Sequence, residues 1–232
     1  MKKMILYVAM ALIMPNAMFS QNNLASKEGQ NGWKQLFNGK NMKGWTATDG
    51  SPVSDGWQVI DGSIVAIQDG KGGDIMTVGE YSNFDLSIEY KIEPGVNSGV
   101  KYFFTRYKNG GQLGMEYQII DDEEGEDINQ SDHLTGSFYD VLPPDESKKS
   151  INPPGQWNTL RILSNGKKVE HRLNGVKILS YKRGSNRYKK AVTKSKFNEA
   201  EPAFGMVEKG HIMLQEHGGV VAFKNIKIKE LK

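Results

Sequence analysis

The chain has 232 residues, of which 38% are hydrophobic and 25% are charged, a balance typical of one globular domain and not of a disordered or fibrous protein. The formal net charge of +3 is too small to indicate a nucleic-acid-binding protein. Cysteine is absent, which excludes disulfides, thiolate metal sites, a cysteine nucleophile and a lipid-anchoring cysteine.

The amino-terminal segment has the pattern of a secretory signal. Two lysines precede the apolar run of residues 4–14, and about eleven apolar residues are too few for a bilayer span, which needs roughly 20. We therefore predict a signal peptide over residues 1–20, a flexible leader over 21–31 and one domain over 32–232. The expected protein is periplasmic or secreted and has no stable membrane insertion.

The central part of the chain predicts antiparallel strands. Residues 84–92 alternate between apolar and polar, as a half-buried strand does, and a second strand-like run follows at 100–105. Three β-prone runs between 157 and 181 are joined at Asn165-Gly166 and Asn174-Gly175. Asn-Gly between such runs predicts tight hairpins, because both central residues need positive φ.

The carboxy-terminal part predicts one short helix and a last pair of strands. The only plausible helix lies within 186–197, and residues 211–217 and 220–229 are expected to pair around Gly218-Gly219. With 26 glycines and few helical periodicities, the chain is predicted to be all-β, with two antiparallel sheets packed as a sandwich or jelly roll.

The run 211–217 carries polar chemistry on one side. Alternation places Ile212 and Leu214 toward the core, and places His211, Gln215 and His217 on the opposite, open face. The two histidines would lie roughly 20 Å apart along a strand, too far to share a metal ion. Gln215 and His217, about 7 Å apart by the same rise, could contact one ligand.

Two further segments carry candidate site residues. In "GMEYQIIDD", Glu116 and Gln118 share one strand face. Glu116 and Asp121 would lie about 17 Å apart, whereas the carboxyl pair of a retaining glycosidase needs roughly 5 to 5.5 Å, so Glu116 is interpreted as a single acid. His171 precedes the Asn174-Gly175 turn and is expected at the edge of a ligand-binding groove on the sheet.

Several segments, in order, resemble the 3-keto-disaccharide hydrolase domain family. They are "WKQLFNGKNMKGW", "GVNSGVKYFF", "GMEYQIIDD", "TGSFYDVLPP", "PPGQWNTLRI", "EHRLNGVKI", "SKF" and "GHIMLQEHGGVVAFKNIKIKEL", and together they extend over about residues 32–232. The resemblance implies a concanavalin-like β-sandwich with at most one or two short helices, and an enzyme whose partner is a small carbohydrate already oxidised at C3. Arg172 departs from the aromatic residue that many members have there, which bears on the leaving group.

The resemblance also implies a chemistry. A C3 ketone acidifies the proton on C2, so a neutral histidine with a pKa near 6.5 could remove it. The glycosidic oxygen then leaves by β-elimination, and water adds to the enone. We expect His171 to be the base, His217 to be the second candidate and Glu116 to shuttle a proton. A divalent cation held by Glu116 and His171 could act as a cofactor. The expected substrate-binding residues are Asn97, Arg106, Gln118, Tyr139 and Gln215.

Two alternatives remain open at this point. The domain could be a carbohydrate-binding module of the same fold, or a conventional glycoside hydrolase, because a fold alone does not decide function. Four tryptophans bear on the first alternative, since each could stack on a sugar or lie in the core. They are Trp33, Trp45, Trp57 and Trp157.

Overall fold

A computed structural model describes residues 31–69, 71–108 and 111–232. The predicted signal peptide, residues 1–20, lies outside these ranges, as do residues 21–30 of the predicted leader. Residues Trp33–Lys232 form one compact unit. Within the described ranges, no helix has both the length and the apolar character needed to cross a membrane.

Short and medium-length strands make up most of the regular structure in the described ranges. The strands are β1 (Trp33–Gln35), β2 (Trp45–Ala47), β3 (Trp57–Ile60), β4 (Ser63–Ala66), β5 (Ile75–Thr77), β6 (Phe84–Ile92), β7 (Asn97–Arg106), β8 (Gln112–Ile120), β9 (Asn158–Asn165), β10 (Lys168–Leu173), β11 (Val176–Lys182), β12 (His211–Leu214) and β13 (Val221–Glu230). The helices are α1 (Asn186–Val192) and α2 (Phe197–Ala200), and 3-10 turns lie at Ser131–His133 and Glu146–Lys148.

The strands form two antiparallel sheets. The large sheet has the order β11-β10-β9-β6-β13-β4-β3, with β1 paired to β13, and the small sheet has the order β2-β5-β12-β7-β8. The predicted all-β, concanavalin-like sandwich of two antiparallel sheets is therefore confirmed. The single predicted helix is divided, since α1 ends at Val192 and α2 begins at Phe197.

The core lies between the two sheets and is filled by alternate residues of each strand. The predicted strand 84–92 matches β6, whose core-facing residues from Phe84 to Ile92 are at most 5% exposed. Trp45 and Trp57 are core residues, and their indole N–H groups donate to Leu36 O and Gly73 O at 2.8 and 2.7 Å. Trp33 and Trp157 are only partly buried and have cationic side chains over their rings.

The two hairpins predicted between residues 157 and 181 are confirmed, with one difference of register. Asn174 and Gly175 have φ of 47° and 85°, the backbone that an Asn-Gly hairpin turn requires. At the other hairpin Asn165 pairs with Lys168, so the two turn residues are Gly166 and Lys167. Gly166 has φ 58°, and glycine takes this conformation at little cost because it has no Cβ.

The predicted pairing of the last two strands is wrong. β12 belongs to the small sheet, where it pairs with β5 and β7, whereas β13 belongs to the large sheet, where it pairs with β4 and β6. Ile212 and Phe223 both reach the core, but from opposite layers. The segment around Gly218 therefore crosses between the layers, which a local apolar pattern does not distinguish from a hairpin.

Candidate active site

A row of side chains crosses the outer face of the small sheet. Cross-strand register aligns one residue from each strand, and the row is Thr46, Met76, Met213, Lys101 and Glu116. The residues that alternate with this row, such as Val100, Tyr117 and Leu214, are fully buried in the core. The row therefore faces away from the large sheet.

The outer face is partly covered, and we call the space around Lys101 and Glu116 on it the hollow. Gln112 on β8 donates from Nε2 to the carbonyl oxygen of Thr48, which follows β2, at 2.8 Å. β2 and β8 are opposite edges of the small sheet, and strong twist brings diagonal corners of a sheet toward each other on one side. Met213, on the middle strand β12, and Glu116, on the edge strand β8, are only 0% and 3% exposed on this face.

Glu116 is the central acid of the hollow. Its Oε2 lies 3.7 Å from Lys101 Nζ. Burial raises the pKa of Glu116 above 4.5, and the charge of Lys101 acts in the opposite direction. A Cβ built on Gly99 would overlap Glu116 Oε1, so the carboxyl group occupies the space that the glycine leaves open.

Amide groups surround this carboxyl group. One terminal atom of the Gln118 amide lies 3.2 Å from Asn97 Oδ1, and the other lies 3.1 Å from Glu116 Oε1 and 3.2 Å from Ser98 O. The orientation that turns the Gln118 nitrogen toward the two latter oxygens satisfies both acceptors. The Gln118 oxygen then faces Asn97, and Asn97 can donate to it only when its own amide is turned so that the nitrogen takes the place of Oδ1. The predicted grouping of Asn97, Glu116 and Gln118 is thus present in the structure.

A second carboxyl group, Asp74, lies on the same face and was missed by the sequence analysis. Asp74 precedes β5 and has the parity of Met76, and its Oδ1 accepts the backbone N–H of Glu216 at 3.0 Å. Burial raises the pKa of Asp74, while the charge of Lys101 lowers it. The sequence contained no signal for this residue, because its proximity to Glu116 depends on the order of strands in the sheet.

Gln215 and His217 lie at the end of β12, beside these groups. The strand ends at Leu214, three residues earlier than predicted. Gln215 N still donates to Gly99 O at 3.0 Å, and Gln215 O accepts from Ser98 Oγ at 2.9 Å. His217 is exposed, and its charge lowers the pKa of both Asp74 and Glu116.

Tyr139 borders the hollow on the far side of β8. Its backbone N–H donates to Glu116 O at 3.2 Å, and its hydroxyl donates to Asp127 Oδ2 at 3.1 Å. Burial is the main cause that raises the pKa of Tyr139, and the charges of Asp127 and Glu116 add to it. Tyr139 is therefore a neutral phenol next to the carboxyl group of the site.

Arg106 is not brought into this group. It lies exposed at the last position of β7, opposite Gln112. The rise of a strand puts it roughly 15 Å from Lys101. The predicted contact of Arg106 with the reacting part of a sugar is not supported by this placement.

The predicted base role of His171 is contradicted by the structure. His171 is 0% exposed and lies between the sheets, with Nε2 2.8 Å from Tyr102 Oη and Nδ1 2.9 Å from Gly136 O. Its neighbours on the same strand face, Val169 and Leu173, are also 0% exposed. Because this face is the core face, the His171 side chain is inaccessible to a sugar. The alternation that His171 shares with the apolar residues Val169 and Leu173 was the sequence signal for this burial.

The predicted metal site shared by Glu116 and His171 is also wrong. Tyr117, the neighbour of Glu116, packs on the His171 ring with 4.9 Å between centroids, so Glu116 itself points to the opposite side of the sheet. No cluster of three or more histidine or acidic side chains suited to a metal ion occurs in the part of the chain that the structure describes.

The β-sandwich fold and this site, taken with the similarities to known proteins, define the class as a glycoside-cleaving hydrolase. Two crystal structures of proteins from Parabacteroides distasonis ATCC 8503, both provisionally named glycosyl hydrolases, are similar to this chain. One has a TM-score of 0.78 and 38% identity, with 89% of this chain and 97% of that one covered. The other has a TM-score of 0.68 and 29% identity, with 86% and 99% covered.

The sequence comparisons identify the family. A 3-keto-disaccharide hydrolase from Bacteroides thetaiotaomicron is 28% identical over 224 residues, which are 87% of this chain and 75% of the relative. The chain belongs to the family described as the 3-keto-alpha-glucoside-1,2-lyase-like domain, whose model matches residues 32–229. The resemblance found in the sequence and the prediction of an enzyme are thereby confirmed.

Burial of His171 should make the stability of the protein depend on pH. Burial lowers the pKa of His171 from 6.5 to about 4, so the unfolded chain binds the proton more strongly between these values. The contribution of neutral His171 to the free energy of unfolding is therefore fully present above pH 6.5. As the pH falls toward 4, this free energy decreases by up to about 3 kcal/mol. Urea unfolding at pH 7 and pH 5 should show a smaller loss for His171→Gln than for the wild type, and equal losses would contradict this account.

Removing the charge of Lys101 should raise the pKa of Glu116 further, because this ammonium group is the main influence that opposes burial. Carbon-13 NMR titration of labelled glutamate carboxyl groups measures the change in Lys101→Met. The matched control is Lys91→Met, whose ammonium lies 5.4 Å from the Trp157 ring centroid on the other sheet. An unchanged Glu116 titration in Lys101→Met would show that the ion pair does not form.

Proposed function

We propose that this protein cleaves 3-keto-glycosides, including 3-keto-disaccharides, by removal of the C2 proton, β-elimination of the C1 substituent and hydration of the product. The observation that carries the proposal is the buried Glu116 carboxyl group, 3.7 Å from Lys101 on an amide-lined face. Membership of the 3-keto-alpha-glucoside-1,2-lyase-like domain family supports the substrate class.

In this proposal Glu116 replaces His171 as the base. A ketone at C3 makes the neighbouring C2 proton acidic, and a carboxylate whose pKa is raised by burial accepts a proton more readily than an exposed one. General base catalysis of this kind contributes typically 10²- to 10⁴-fold to the rate. His217 remains a second candidate, since it lies exposed at the rim of the same hollow.

The charge that develops on the C3 oxygen needs a partner. Lys101 is suited to this role because its side chain is only 20% exposed and its ammonium group already faces the carboxyl group. A fixed cation in a poorly hydrated site stabilises a developing enolate strongly. When Glu116 takes up the C2 proton, its negative charge disappears, and Lys101 then interacts with the enolate oxygen.

The amides bind and orient the sugar. Asn97, Gln118 and Gln215 offer donors and acceptors on one face, at positions held by backbone hydrogen bonds of β7, β8 and the end of β12. These are the groups that sugar hydroxyls require. After the C1–O bond has broken, water adds to C1 of the enone and a proton returns to C2, which completes net hydrolysis.

One observation favours a second candidate function, that of a conventional glycoside hydrolase. Asp74 and Glu116 are two carboxyl groups on one face, and burial raises the pKa of each. Such a pair can divide the roles of acid and base or nucleophile. The non-catalytic binding module has less support, because a binding site has no need of a buried carboxyl group beside a lysine.

We also propose that the mature protein is periplasmic or secreted, on the basis of the signal-like pattern in residues 1–20. Fractionation of cells that express the full chain tests this proposal. Recovery of the uncleaved chain in the cytoplasm would contradict it.

The decisive assay for function compares a 3-keto-disaccharide with its unoxidised parent. We expect turnover of the oxidised sugar alone, because only the ketone acidifies the C2 proton. Cleavage of the parent sugar would instead establish a conventional glycosidase. Binding of either sugar without turnover, measured by calorimetry, would indicate a binding module.

Glu116→Gln should lower kcat/KM by about 10²- to 10⁴-fold, whereas His217→Gln should lower it less than about tenfold, if Glu116 is the base. The acid limb of the pH profile should lie above pH 4.5, because the base must be ionised and the pKa of Glu116 is raised. Activity is then lost as the pH falls through the raised pKa of Glu116. A larger loss in His217→Gln than in Glu116→Gln would assign the base to the histidine.

Gly99→Ala should displace the Glu116 carboxyl group, because the new methyl group would overlap Oε1 and lie 3.0 Å from Cδ. Displacement of a catalytic group by about 1 Å costs roughly 10²-fold in rate, so kcat should fall while the thermal midpoint changes little. Gly111→Ala is the matched control, since a Cβ there meets nothing within 4 Å. Full activity of Gly99→Ala would show that the carboxyl position is not critical.

A further inference from the structure

A lysine outside the strands lies beside the hollow. Lys196, in the connection between α1 and α2, donates from Nζ to Tyr139 Oη at 3.1 Å, and its ammonium lies 4.4 Å from the centroid of the Tyr139 ring. The backbone N–H of Tyr139 in turn donates to Glu116 O. Lys196 is thus linked through one residue to the strand position of the central acid.

The hydrogen bonds show which of the two groups has a proton to give. The Tyr139 hydroxyl donates its only proton to Asp127 Oδ2 at 3.1 Å and accepts from Lys196. An ammonium group has three N–H donors, so Lys196 retains two after this bond. Tyr139 therefore orients the lysine, and the lysine is the group able to donate to a ligand.

A network of hydrogen bonds holds the backbone of Lys196 in place. Asp140 Oδ2 accepts from the backbone N–H of Lys196 at 2.8 Å and from Ser195 Oγ at 2.7 Å. His133 lies with its ring nitrogens 2.7 Å from Asp127 Oδ2 and 3.2 Å from Asp140 Oδ1. The buried imidazole of His133 thus lies between the two carboxyl groups and forms a hydrogen bond with Asp140.

A ligand in the hollow needs a proton donor on the Tyr139 side. Lys101 is already paired with Glu116 and is assigned to the C3 oxygen. The positive charge of Lys196 also reaches Glu116, where it lowers the pKa. Lys196 is otherwise exposed, so water can return a proton to it after each turnover.

We propose that Lys196 is the general acid that protonates the departing glycosidic oxygen. The inference rests on the proposed function. Glu116 takes the C2 proton, and the electron pair of that C–H bond forms the enolate of the C3 ketone. When the enolate collapses to the ketone, the C1=C2 double bond forms and the C1–O bond breaks. The departing oxygen takes a proton from the Lys196 ammonium and leaves as an alcohol. The neutral amine then regains a proton from water.

Leaving groups of different basicity test this role. A sugar alkoxide leaves poorly without a proton, whereas 4-nitrophenolate leaves readily. Lys196→Met should therefore reduce kcat on a 3-keto-disaccharide by about 10²-fold or more, and on 4-nitrophenyl 3-keto-glucoside by less than about fivefold. Lys194→Met, at an exposed lysine two residues away, is the matched control and should retain both activities.

A second variant separates proton donation from charge. Lys196→Arg keeps a cation that can bond Tyr139, but a guanidinium group has a pKa above 12 and is a poor acid. It should stay slow on the disaccharide and fast on the aryl glycoside, and recovery of disaccharide activity would show that only charge matters. Equal losses on both substrates in Lys196→Met, or no loss on either, would overturn the inference. If the wild type cleaves neither 3-keto substrate, the proposed function itself fails, and this role with it.

Discussion

The burial of one carboxyl group on the outer face of a β-sheet is the constraint on which the rest of the site depends. A buried carboxylate is costly unless a cation and hydrogen-bond donors compensate for lost water. Lys101 supplies the cation from the neighbouring strand, Gln118 supplies an amide, and Gly99 leaves the space. The compensation is incomplete, because the pKa of Glu116 remains raised. Incomplete compensation is what gives a carboxyl group the proton affinity of a base.

The small sheet separates two kinds of polar chemistry by strand parity. On its core side, Tyr102 and His171 form hydrogen bonds with each other and are wholly buried, so they contribute to packing and to the acid sensitivity of the fold. On its outer side, Asp74 is half-buried, and the almost fully buried Glu116 carboxyl group lies beside Lys101, whose side chain is 20% exposed. Both sides contain titratable groups of shifted pKa, and only accessibility distinguishes the structural group from the reactive one.

Much of the architecture followed from local patterns. The alternation of residues 84–92 predicted β6 and its first and last residues. Asn174-Gly175 predicted a hairpin turn, and both residues have the positive φ that such a turn requires. The alternation around Glu116 also predicted correctly that Gln118 shares its face and Tyr117 does not. The pairing of residues 211–217 with 220–229 failed, since the glycines between them allow a crossing between layers as readily as a hairpin.

For the site, the sequence by itself determined which residues could carry chemistry and which side of each strand they occupy, because parity and turn preference depend on neighbouring residues only. It placed Asn97, Glu116, Gln118 and Gln215 among the candidates. Only the tertiary structure decided that Asp74 joins them, and it showed that His171 lies on the core face that its apolar neighbours Val169 and Leu173 indicated. Strand order, register and the choice of core face are set by how distant apolar surfaces fill one shared interior, and no short segment contains that information.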